Sequence, residues 1–144
     1  MASNNKEIEH QCRYVGTHEP KVGQSLDANP ISPSTEFAKA VALSILSGRV
    51  GRYLPSQHFR GRMAERDFDV FDCEYVIRNG KNIGAGEFCK EYRNHKYKFR
   101  GDLDGIEFDA VFALSADHDF IATPLLILVT GCFKTTSGCR GRAY

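Results

Sequence analysis

A chain of 144 residues is most simply a single domain, long enough to bury a real core and short of the length that favours a second. With 42% hydrophobic and 26% charged residues it reads as globular, not disordered, and a formal charge of +1, from 19 basic and 18 acidic residues, says little about partners. The longest strongly apolar run, Pro124 to Val129, is far too short to span a bilayer as a helix.

Residues 1–33 are polar and rich in Gly, Pro, Asn and Ser, which predicts a loosely ordered N-terminal arm with no signal peptide. Ser32-Pro33 then supplies a helix start, serine as cap and proline at the first helical position. From Ser34 to Ser47 the apolar residues Phe37, Val41 and Ile45 recur every four, and Gly48 follows as a stop, so an amphipathic helix is expected. A second helix is expected from Gln57 to Arg66 with Ser56 as cap and Phe59 and Met63 as its inward stripe. A third runs from Val70 to Arg78, opened by Asp69 with Asp72 three residues later and closed by Asn79-Gly80.

After Gly80 the period changes from helical to alternating. Strands are expected at Glu87–Tyr92, Lys96–Arg100, Ile106–Leu114 and Leu125–Phe133, with turns at Asn94-His95, Asp102 to Gly105 and Ala116 to Asp119. Short connections make such strands antiparallel. The fold class is therefore α+β, two or three N-terminal helices packed on a four-stranded antiparallel sheet, with one domain over 34–134 and a flexible tail over 135–144.

Charge is concentrated locally. Between Arg49 and Arg66 five arginines (Arg49, Arg52, Arg60, Arg62, Arg66) face one acid, Glu65, which suits an anionic ligand bound at one place. Within this stretch His58, Arg62 and Arg66 recur every four residues, so a helix stacks them on one face. A titratable imidazole beside two permanent cations can move protons while guanidinium forks hold phosphate oxygens. Lys98 and Arg100 could reach the same phosphate from a strand, and Thr130, at the end of the buried strand, could donate a hydrogen bond to it. The same residues also suit the solvated faces of an ordinary amphipathic helix and an ordinary strand, so both readings stand.

Other chemistries are weaker. Gly84-Ala85-Gly86 lacks the ending and the strand-to-helix context of a phosphate loop, and no HExxH occurs. Five cysteines, Cys12, Cys73, Cys89, Cys132 and Cys139, are odd in number and contain no CxxC, which argues against a secreted disulfide framework and a zinc knuckle. Reduced thiols in a cytoplasmic protein are expected, with no metal and no cofactor.

Several of these residues carry a resemblance: His58-x3-Arg62-x3-Arg66 followed by Asp67-Phe68, the helix ending Ile77-Arg78-Asn79-Gly80, then Tyr97-Lys98-Phe99-Arg100-Gly101 and Leu128-Val129-Thr130. From about Gln57 to Lys134 the chain resembles a small bacterial domain family of unknown function related to RelE-like toxins, in the wider group that joins barnase, EndoU and the RNase colicins. The resemblance implies helices on an antiparallel sheet and metal-independent cleavage of RNA. It also implies His58 and Arg62 as active-site groups with Arg66, Arg100 and Thr130 near them. The leading expectation is an RNase-type toxin held in check by a cognate antitoxin or inhibitor, with Arg60 and Lys98 of the basic clusters binding RNA. The alternative is a non-catalytic module that binds nucleic acid or protein through the same basic surface.

Overall fold

A computed structural model describes residues 30–135 and 138–140. The described elements are helices α1 (Thr35–Leu46), α2 (Gln57–Arg66) and α3 (Val70–Asn79), and strands β1 (Arg52–Pro55), β2 (Lys81–Asn82), β3 (Glu87–Cys89), β4 (Asn94–Leu103), β5 (Ile106–Ser115), β6 (Leu125–Thr135) and β7 (Gly138–Arg140). All seven strands belong to one sheet, ordered β1-β6-β5-β4-β2, with β3 also paired to β4 and β7 to β6. The expected α+β class holds, but the sheet is neither four-stranded nor wholly antiparallel.

The parallel pair is β1 with β6, Arg52 opposite Leu125 through Pro55 opposite Leu128. β1 carries no sequence signal because its four residues lie at a sheet edge, mix two exposed residues with two half-buried ones and end in a proline, which an edge strand tolerates. The two-residue β2 is likewise too short to show a period. β7 places three residues of the expected tail in the sheet, while residues 1–29, most of the expected arm, lie outside the described residues.

Local chemistry explains the helices. The cap of α1 is Ser34, whose side chain accepts from the Phe37 N–H, two residues later than the expected Ser32. Ser32 has another partner, His95 Nδ1 at 2.8 Å. Ser56 caps α2 through the Phe59 N–H, and Asp67, in the left-handed conformation, ends it. Asp69 and Asp72 form a reciprocal capping box that starts α3.

Two turns differ from expectation. Asn94 and His95 are buried inside β4, and the chain turns at residues 90–93 with Arg93 at positive φ. β4 and β5 are joined by Asp104-Gly105, both at positive φ, which is the geometry a two-residue hairpin requires.

Each sheet face has its own packing. Tyr97 and Phe99 of β4, Phe108, Phe112 and Leu114 of β5, and Leu126, Leu128 and Phe133 of β6 form the main core with Ala38, Val41, Ala42 and Ile45 of α1, Phe59 of α2 and Val76 and Ile77 of α3. On the opposite face Val111, Ala113, Leu125, Ile127 and Val129 form a separate cluster with Leu54. All three described helices thus pack on one face. The register of β5 against β6 shifts at Val111/Phe112, so that Thr130 pairs with Val111 and Leu128 with Phe112, leaving Val129 as the extra residue of a bulge.

Candidate functional site

The bulge fixes where α2 begins. Ser56 is fully buried, its N–H donates to the Leu128 carbonyl at 3.1 Å and its hydroxyl donates to the Val129 carbonyl at 3.3 Å while accepting from the Phe59 N–H at 2.9 Å. One serine therefore ties the helix start to the central strand and satisfies an orphan helix donor. The other end is tied by Arg66, whose Nη1 donates to the Gly131 carbonyl at 2.9 Å. α2 is pinned along β6 at both ends.

Pinning α2 sets the ladder in a definite arrangement. Arg62 Nε donates to His58 Nε2 at 3.3 Å, and Arg62 Nη1 donates to Glu65 Oε1 at 2.6 Å. Glu65 also lies 4.0 Å from Arg66 Nε. Because His58 Nε2 accepts, the ring carries its proton on Nδ1 and is neutral in this arrangement. His58, Arg62 and Arg66 are all half-buried, whereas Arg60 is exposed. Glu65, which the sequence offers with Asp67 and Asp69 as an acidic partner for this face, is thus part of the arrangement, and its three-residue spacing from Arg62 puts it within reach.

The remaining candidates stand elsewhere. Arg100 grips Asp109 with two hydrogen bonds, Nε to Oδ1 at 2.7 Å and Nη2 to Oδ2 at 3.0 Å, and Lys134 Nζ approaches the same carboxylate at 3.9 Å. That bonded carboxylate raises the already high pKa of Arg100. Arg100 pairs across the ladder with Asp109, Lys98 with Val111 and Val111 with Thr130, which places all three candidates on the sheet face away from the helices. Thr130 Oγ1 is shielded from solvent and has no hydrogen-bond partner among the described residues. The structure therefore brings together His58, Arg62 and Arg66, adds Glu65, and separates them from Lys98, Arg100 and Thr130.

Residues 56–123 match a domain of unknown function, DUF4258. The match covers a little under half of the chain and runs from the cap of α2 to the loop before β6. No curated protein and no solved structure matches significantly. The DUF4258 segment contains the whole His58 to Arg66 ladder with Lys98 and Arg100, while β1, β6 and Thr130 lie outside it. Nothing in these comparisons connects the chain to RelE-like or barnase-like toxins.

The thiols have defined states. Cys132 is disulfide-bonded, which corrects the expectation of reduced cysteines throughout, while Cys73 and Cys89 are in no disulfide. Burial, with Asp72 and Asp69 adding to it, pushes the Cys73 thiol well above its ordinary pKa, so it is no ready nucleophile. Among the described residues no cluster of three His, Cys, Asp or Glu has the arrangement of a metal site, and no helix is long and apolar enough to cross a membrane.

Proposed function

We propose that the protein is a toxin-like endoribonuclease that cleaves RNA at the α2 face, with His58 moving the proton and Arg62 holding the phosphate. The observation that carries this reading is the 3.3 Å contact in which a neutral imidazole accepts from a guanidinium on a half-exposed helix face. In the reaction His58 Nε2 takes the proton of a ribose 2′-hydroxyl, the 2′-oxygen attacks the adjacent phosphorus, and the bond to the 5′-oxygen breaks as solvent protonates that oxygen. Arg62 neutralises the charge that builds on the non-bridging oxygens. Arg66, held by Gly131, fixes the helix and adds positive charge from behind. A cognate inhibitor protein that covers the α2 face completes this reading.

A second reading is favoured by the separation of Lys98, Arg100 and Thr130 from α2: a non-catalytic module that binds RNA or a protein through its basic residues. The two readings differ in turnover. Purified protein incubated with labelled RNA should release cleavage products in the wild type, and His58→Ala and Arg62→Ala, both folded, should lose at least tenfold in rate. Binding that weakens with salt but shows no turnover would support the module instead.

A further inference from the structure

Both groups assigned to the reaction are already occupied within the helix. The lone pair of His58 Nε2 receives Arg62 Nε, and the outer edge of the Arg62 fork holds the Glu65 carboxylate at 2.6 Å. A carboxylate on a guanidinium presents the same paired anionic oxygens as a phosphate. We infer that Glu65 is an internal stand-in for the ligand's phosphate, so that a phosphodiester enters by displacing Glu65 from Arg62, and the shift of Arg62 towards it uncovers the His58 base.

This rests on the reading of Arg62 as the phosphate-holding group. Three features of the site support it. Glu65 follows Arg62 by three residues, so its carboxylate reaches the fork without leaving the helix surface, and release needs only a rotamer change. Its side chain is 59% exposed against 23% for Arg62, so the displaced carboxylate returns to water at little cost. Arg62 Nε and Nη1 contact His58 and Glu65 respectively, so one movement of one side chain breaks both contacts. Phosphate binding and exposure of the base are then a single event, and the base stays covered while no phosphate is present.

The probe is inorganic phosphate, followed through the His58 ring resonances at fixed pH in the full chain. Wild type should show a saturable shift. Glu65→Gln, which keeps the length of the side chain and removes its charge, should bind phosphate about two- to fivefold more tightly, the range set by the strength of an exposed ion pair. Glu65→Asp, too short to hold the fork, should do the same, and Arg62→Ala should abolish the shift. Unchanged or weaker phosphate binding in both folded Glu65 variants would overturn the inference, as would a wild-type response in Arg62→Ala. Because phosphate is not turned over, a lack of RNA cleavage would defeat the ribonuclease reading and leave this result standing.

Discussion

Arg66 Nη1 donates to the main-chain carbonyl of Gly131, 65 residues away, at 2.9 Å. β1 ends opposite Leu128, so among the described residues the edge of β6 beyond it has no strand neighbour until β7 pairs with Phe133. Arg66 serves the carbonyl in that gap, as Ser56 serves Val129. Part of the positive charge that suggested phosphate chemistry is therefore spent on joining α2 to the sheet.

Arg66→Met should lower stability by about 1–3 kcal/mol, the cost of leaving a buried carbonyl without its charged donor. Urea unfolding of the two proteins side by side measures this. An unchanged midpoint would mean that water replaces the guanidinium freely.

Gly131→Ala should destabilise more, by roughly 2–3 kcal/mol, within the usual range for overpacking. A Cβ at Gly131 would lie 2.7 Å from Phe108 and 2.8 Å from Phe68, whose rings pack edge-to-face 5.3 Å apart in the core. Neither ring is a flexible end that can move aside. A thermal midpoint equal to wild type would show that the Phe68 and Phe108 rings can give way.

Arg100→Met should cost about 2–3 kcal/mol of stability, less than the full loss of a buried ion pair because Lys134 stays 3.9 Å from the orphaned carboxylate. Asp109 is only 5% exposed and cannot turn to water. Any RNA cleavage per folded molecule should stay close to wild type, since Arg100 stands on the opposite face from α2. A large loss of cleavage at unchanged stability would return Arg100 to the catalytic site.

Stability should fall at both ends of the pH scale. His95 lies between Phe88 and Phe120, with ring centroids 5.0 and 6.0 Å away, and burial followed by the Arg93 charge lowers its pKa. The unfolded chain then takes up the proton first. The His95 contribution is complete above the ordinary value of 6.5 and is lost as the pH falls through the lower folded value. Burial pushes Tyr97, whose hydroxyl donates to the Pro33 carbonyl at 2.6 Å, from 10.0 to about 12. Its contribution is complete below 10.0 and is lost as the pH rises through about 12. Unfolding free energy measured against pH should lose its acid slope below 6.5 in His95→Gln and its alkaline slope above 10.0 in Tyr97→Phe, judged against wild type.

The sequence by itself determined what depends on near neighbours. Ser56 and the Asp69/Asp72 box start helices because a side-chain oxygen three residues back satisfies an orphan N–H, and Asp104-Gly105 makes a hairpin because both residues accept positive φ. The stacking of His58, Arg62 and Arg66 likewise follows from helical spacing alone, and all three were legible as one face.

What only the tertiary structure decided depends on partners distant in sequence. β1 exists because Leu125 to Leu128 offer it a parallel edge, a pairing that no local pattern encodes. Lys98, Arg100 and Thr130 share a face because of strand register and one bulge at Val129, and a one-residue change in register turns a side chain to the other side of a sheet. Periodicity told which side chains stand together on one element. Long-range pairing told which elements stand together, and so separated the α2 ladder from the basic strand expected to complete it.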